Sequence, residues 1–253
     1  LKQIRVAAVS YLNTKPLLYG IRRHPVMEEI SLVEDYPASI ARMLLNDEVD
    51  LALIPVAMIP KLPNPHIVSN YCIGAESPVA SVCIFSEVPM EQITEVYLDY
   101  QSRTSVNLAK VLLEEYWKKD LRFIDATGED YREAIKGTTA GVVIGDRALE
   151  QRLRSTYIYD LAEAWIDHTG LPFVFAAWVA NKPLPAAFEQ AFNEANALGL
   201  AHVDDVIASI TYPTYSLETY YKQNISYNLT APKRKGLELF LQKLALLNQA
   251  AVK

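Results

Sequence analysis

The chain has 253 residues, 51% hydrophobic and 21% charged, with a formal net charge of -6. That balance belongs to a globular protein with a real core, and it lacks the basic domain or stripe that nucleic-acid partners require. No apolar run reaches the ~20 residues of a membrane span. The two cysteines, Cys72 and Cys83, lie in apolar stretches and read as buried core thiols, not as a disulfide framework.

In chain order, residues 4–9 read as a buried strand and 14–21 as a helix. Residues 30–34 are strand-like, 38–45 carry helical spacing, and 50–55 form another short apolar strand. This βαβαβ rhythm predicts a parallel sheet with crossover helices. Strands follow at 67–72 and 80–85. The rhythm then restarts with a strand at 96–98 and an amphipathic helix at 105–117. Strand and helix alternate again through 122–124, 131–135, 140–144 and 147–153. A long apolar strand at 173–180 follows Pro172, and the remainder turns mostly helical at 186–198, 203–210 and 235–247.

No Gly, Ser and Pro-rich linker separates the two α/β units. They are therefore expected as lobes joined by crossing strands, 80–86 outgoing and 173–180 returning. Residues 1–85 and 175–253 form the first lobe in this reading, and 86–174 the second. The helical tail is expected to fold back onto the first lobe, with the tyrosine-rich stretch 212–227 packing it there. Ligands of open parallel sheets sit beyond the carboxyl ends of the strands, so the two facing lobes predict one cleft. The chain enters its first strand without a signal peptide, and a cytoplasmic setting is expected.

Five stretches carry candidate chemistry. Ser10, Tyr11, Asn13 and Thr14 follow the first strand, with Lys15 and Pro16 opening a helix. Small polar groups, free amides and a helix dipole make an anion site there, although capping alone explains part of the pattern. Ser102, Arg103, Thr104 and Ser105 repeat the arrangement at the main helix of the second unit. Two such turns suit a ligand with two negative groups. Ser81, on the outgoing crossing, would donate from the cleft floor. Gly145 permits close backbone approach, and Asp146 is a helix cap or a catalytic acid. His168 is considered as a base because only four histidines are present. No metal-ligand spacing, phosphate loop, dinucleotide fingerprint or nucleophile elbow is found, so no cofactor and no metal are expected.

The ordered set of these segments resembles the chorismate dehydratases of the futalosine route to menaquinone. The matching runs are Ser10-Tyr11-Leu12-Asn13-Thr14-Lys15-Pro16, Asp50 to Val56, Val79-Ala80-Ser81-Val82, Ser102-Arg103-Thr104-Ser105, Ile144-Gly145-Asp146-Arg147 and Thr169 to Ala176 with Trp178. The resemblance implies a periplasmic-binding-protein-like fold of type II, with two α/β lobes joined by two crossover strands around a cleft. It also implies cofactor-free loss of water from chorismate, a small dianion, to give 3-[(1-carboxyvinyl)oxy]benzoate. Asn13 and Ser81 would orient the substrate and its leaving hydroxyl, and Thr104 and Ser105 would hold a carboxylate. The base would be Asp146 or the substrate's own side-chain carboxylate. A sister family of the same route carries a Ser-Pro-Cys-Pro-Asn-Asp turn where this chain has Ser-Tyr-Leu-Asn-Thr. A non-catalytic receptor for a small organic anion is the other reading of the same fold.

Overall fold

The computed structural model describes residues 3–250. The first lobe opens with β1 (Ile4–Val9), α1 (Lys15–Arg23), β2 (Ile30–Asp35), α2 (Pro37–Leu45), β3 (Leu51–Pro55) and β4 (His66–Ala75). The chain then crosses to β5 (Val82–Ser86), β6 (Glu95–Leu98), α3 (Arg103–Glu115), β7 (Arg122–Asp125), β8 (Thr139–Ile144), α4 (Asp146–Gln151), β9 (Tyr157–Asp160) and α5 (Leu161–Thr169). It returns as β10 (Phe173–Ala180), followed by α6 (Ala186–Ala201), α7 (Val203–Ala208), α8 (Leu217–Thr219), β11 (Ser226–Asn228) and α9 (Ala231–Ala250).

The strands form two separate sheets, ordered β11-β4-β10-β3-β1-β2 and β7-β6-β8-β5-β9. β1 runs parallel to β2 and β3, as the βαβ rhythm predicts, and β6 runs parallel to β7 and β8. Strands covered on both faces read as continuous apolar runs, and every residue of β3, β5 and β10 is buried. The sheets share one plan. In each, the strand beside the third parallel strand is antiparallel and arrives from the other lobe: β10 beside β3, and β5 beside β8.

The crossings are shorter than the strands expected to make them. β5 pairs only within the second sheet and β10 only within the first. The chain passes between sheets in the non-strand segment 76–81 and, on return, in the turn 170–172 after α5. The second sheet accordingly begins at Val82, not at residue 86. Sequence periodicity missed β9, α5 and β11, which are short or carry polar residues among their apolar ones. Residues 131–135, expected in the strand-helix alternation, fall mainly in a 3-10 turn over Glu129–Ala134. The tail helix also does more than cover the first lobe. α9 packs on β10, and its Lys243 pairs with Glu115 of α3 in the second lobe. Phe173 lies at ring distances of 5.3 Å from Trp165 and 5.0 Å from Phe240, so α5, β10 and α9 share one aromatic core at the return crossing.

The seam between α1 and α6 places the first jaw of the cleft. A Cβ on Gly20 would lie 2.0 Å from the Ala195 carbonyl oxygen, and one on Gly199 would lie 1.9 Å from that of Pro16. Backbone oxygens have no rotamer to yield, so only paired glycines permit this approach. Gly199→Ala is expected to cost about 1–3 kcal/mol. Thermal melting checks this: the variant should lose several degrees in Tm relative to the wild type.

Candidate functional site

The carboxyl ends of β1, β3, β6 and β8 meet between the lobes around about 530 Å³ of space free of protein atoms, counting solvent at its mouth. The polar lining consists of Tyr11, Asn13, Thr14, Ser81, Ser102 and Ser105, with Gly145 backbone. Val9, Pro55, Ile73, Phe175 and Ile225 supply apolar walls. No carboxylate, imidazole, thiol, ammonium or guanidinium is among the described lining residues. The described residues also gather no group of three His, Cys, Asp or Glu side chains able to hold a metal.

In the first jaw a 3-10 turn, Leu12–Thr14, leads into α1. Asn13 faces the cleft, and its Oδ1 accepts from Thr14 Oγ1 at 3.1 Å. The turn is braced from below by two buried phenols: Tyr221 donates to the Leu12 carbonyl at 2.9 Å and Tyr227 to that of Asn13 at 2.8 Å. Ser10 is a correction. It is exposed, its amide donates to the Asp35 carbonyl, and it does not line the cleft. β1 simply extends one hydrogen bond further, turning this side chain outward. Tyr11 lies over Gly145 and donates to Gln101 of the opposite lobe. With Gly145 at φ +64°, an added Cβ would press on the Tyr11 ring at 3.1 Å.

In the second jaw, Ser102 caps α3 by accepting from the Ser105 amide at 3.3 Å, and the two hydroxyls lie 3.1 Å apart. The Val106 amide takes the Ser102 carbonyl, while those of Arg103 and Thr104 precede the first intrahelical bond. Within the cleft lining this jaw offers the Ser102 and Ser105 hydroxyls, at the start of a helix whose N-terminal dipole favours an anionic oxygen. Arg103 and Thr104 contribute no side chain to that lining. Arg103 is exposed to solvent. The Thr104 hydroxyl is fully buried and accepts from the Ala57 amide at 3.0 Å, tying the lobes together. Adjacent helical side chains project about 100° apart, so the turn cannot aim residues 102 to 105 at one point.

Behind this jaw, buried Asp99 accepts from Tyr131 at 2.6 Å, from the Gln101 amide at 2.7 Å and from Arg147 at 2.9 Å. Arg147 also bonds Gln101 Oε1 at 3.0 Å. Gln101 thus holds Tyr11 on behalf of the second lobe, a role the sequence did not reveal.

The floor is Ser81, 1% exposed. Its amide bonds the Val79 carbonyl at 2.8 Å across Ala80, whose φ is +65°. This γ-turn is strained for a residue with a side chain. Asp160 holds it: Oδ1 accepts from the Val79 amide at 3.1 Å and Oδ2 from that of Ala80 at 2.7 Å. Asp160 and the tyrosines at 220, 221 and 227 are the functional neighbours that sequence reading missed. The only signals are a tyrosine-rich stretch, which reads as packing, and an acid before an unrecognised helix.

Asp146 stands outside the cleft lining. Its carboxylate reaches across to the Leu12 amide at 3.1 Å, and Tyr212 donates to its carbonyl at 3.2 Å. The expectation of a catalytic acid or base in the cleft is thereby corrected: the carboxylate closes one jaw on the other. His168 is likewise remote, bonded to Glu115 at 3.1 Å. Burial pushes Asp146 up to about 6, outweighing the Leu12 amide and Lys15, which favour the charged form. A folded pKa above the unfolded value of roughly 4 stabilises the protein below the unfolded value, and that stability is lost as pH rises through about 6. Asp146→Asn should remove this dependence. Melting curves between pH 4 and 8 check it: the wild-type Tm should fall relative to the variant as pH rises.

A chorismate dehydratase of Thermus thermophilus is 28% identical, with 93% of each chain covered. One from Campylobacter jejuni is 26% identical, covering 96% of this chain and 98% of its own. The periplasmic aliphatic sulphonate binding protein SsuA of Escherichia coli superposes with a TM-score of 0.65 at 17% identity, over 100% of this chain and 94% of the other, which shows the periplasmic-binding-protein fold. The family described as menaquinone biosynthesis matches residues 4–246, and the chain belongs to that family.

Proposed function

We propose that the protein is a chorismate dehydratase, converting chorismate to 3-[(1-carboxyvinyl)oxy]benzoate in the futalosine route, in the cytoplasm. The observation that carries this reading is the composition of the cleft. It presents neutral donors from both lobes and, among the described residues, no lining side chain that is a strong base or nucleophile. A dianion whose own chemistry supplies the base fits such a site, and the curated relatives named chorismate dehydratase agree.

The reaction needs little from the protein beyond placement. The proton to be removed sits on the ring carbon bearing the enolpyruvyl ether, vinylogous to the ring carboxylate. Its C–H electrons move into the ring, and charge spreads onto that carboxylate as a dienolate. Donors at the start of α3, the Ser102 and Ser105 hydroxyls, are suited to hold this oxygen pair and stabilise the developing charge. The neighbouring C–O bond then breaks, the hydroxyl leaves with the abstracted proton as water, and the ring becomes aromatic. With no carboxylate among the described lining residues, the proton acceptor in this reading is the carboxylate of the substrate's enolpyruvyl arm. Asn13 and Ser81 orient the arm and the leaving hydroxyl.

The likeness to a sulphonate-binding protein keeps a receptor reading in play. Purified protein incubated with chorismate should produce the ultraviolet change of aromatisation; tight binding without that change would mark a receptor. Asn13→Ala is expected to lower kcat/KM by about 10² with Tm little changed, as for removal of one preorganised donor. Near-normal turnover in that variant would remove Asn13 from the machinery.

A further inference from the structure

We infer that Tyr220 is a positioning residue that commits the Ser81 hydroxyl to donate its proton into the cleft; this rests on the proposed role of that cleft. A serine hydroxyl has one proton and two acceptor sites, and its rotor is otherwise free to turn. At Ser81 one acceptor site is taken by the Tyr220 phenol, which donates at 2.9 Å. Two protons cannot share one O···O axis, so the serine's own proton must point elsewhere. Among the described residues Ser81 Oγ has no other hydrogen-bond partner, and Ile73, Val79, Val82 and Ile225 are apolar walls of the cleft it lines. The Val79 carbonyl already receives the Ser81 amide. The open direction is the ligand space.

The phenol is built to hold this assignment. Tyr220 is fully buried, as is Ser81 apart from its cleft face. Its ring is held by Tyr215 at 6.2 Å and Tyr221 at 5.6 Å. It sits in a π-helical turn, Tyr220–Asn224, closed by the Ile225 amide on the Tyr220 carbonyl at 2.9 Å. Such wide turns recur at functional sites. Here the turn lets two consecutive tyrosines reach separate targets, Ser81 and the Leu12 carbonyl. Burial raises the Tyr220 phenol well above its ordinary value, which keeps it a donor throughout the working pH range.

An oriented Ser81 proton favours an oxygen that gains negative charge as the reaction proceeds, such as a departing hydroxyl. It does little for ground-state binding, so its loss should fall on kcat. Tyr220→Phe keeps the ring and removes only the donor. It is expected to lower kcat about tenfold while KM stays within about twofold. Because the effect runs through one oxygen, it must be non-additive. In a Ser81→Ala background the same change should leave kcat where Ser81→Ala puts it. Incorporation of 3-fluorotyrosine at 220, nearly unchanged in shape but a stronger donor, provides a second arm should the phenylalanine variant not fold. It should alter kcat when Ser81 is present and leave kcat unaltered in the Ser81→Ala background. Equal effects of the substitutions with and without Ser81, or effects on KM alone, would overturn the inference while wild-type turnover stands. Wild-type protein that neither converts nor binds chorismate would overturn the reading of the cleft and this inference with it.

Discussion

One buried carboxylate sits under both passages between the lobes. Asp160 accepts four backbone amides: Val79 and Ala80 on the outgoing crossing, and Ala162 and Glu163 at the start of α5, which leads into the return. Burial raises its pKa, and those amides oppose the shift. The charge-assisted bonds hold Ala80 in a positive-φ conformation that an isolated chain would rarely adopt. Ser81 follows directly, so the cleft floor inherits its position from a carboxylate 80 positions beyond Ala80 in the chain. The outgoing crossing and the floor are therefore one structure.

From that anchor the cleft is assembled as a set of neutral donors under restraint. The first jaw is braced by Tyr221 and Tyr227, the floor by Tyr220, and the second jaw by Asp99, Arg147 and Gln101. Cations that would bind an anion indiscriminately are placed elsewhere: Arg147 is occupied by Asp99, Lys15 faces Glu34 at 3.7 Å, and Arg103 is exposed. Preorganised dipoles can stabilise a charge that develops late without binding tightly a ligand that carries one early. The cross-lobe bonds, Leu12 to Asp146, Tyr11 to Gln101 and Ala57 to Thr104, hold the two jaws against each other.

Much of the architecture was legible because burial imposes period. β1 and β3 are short apolar runs beside amphipathic helices, and the helices read from 14, 38 and 105 begin at Lys15, Pro37 and Arg103. Elements with weak apolar patterning, such as β9 and β11, escaped. Within the site, Asn13, Thr14, Ser81, Ser102, Ser105 and Gly145 stand out in the sequence as polar or small groups at strand and helix ends, and the cleft contains them. Ser10, Arg103, Thr104 and Asp146 belong to the same turns but face solvent or the opposite lobe. A motif read along the chain includes neighbours whose side chains point in different directions.

By itself the sequence determined the βα order, the two-lobed α/β class and the turns that end at a common edge, because these depend on local spacing and on burial of nearby apolar residues. Only the tertiary structure decided which members of those turns meet, that Asp146 and Thr104 join lobes instead of meeting a ligand, and that tyrosines from the C-terminal segment govern Asn13 and Ser81. The physical reason is range. A hydrogen bond such as Tyr220 to Ser81 spans 139 positions, and its geometry is set by packing that no local pattern encodes.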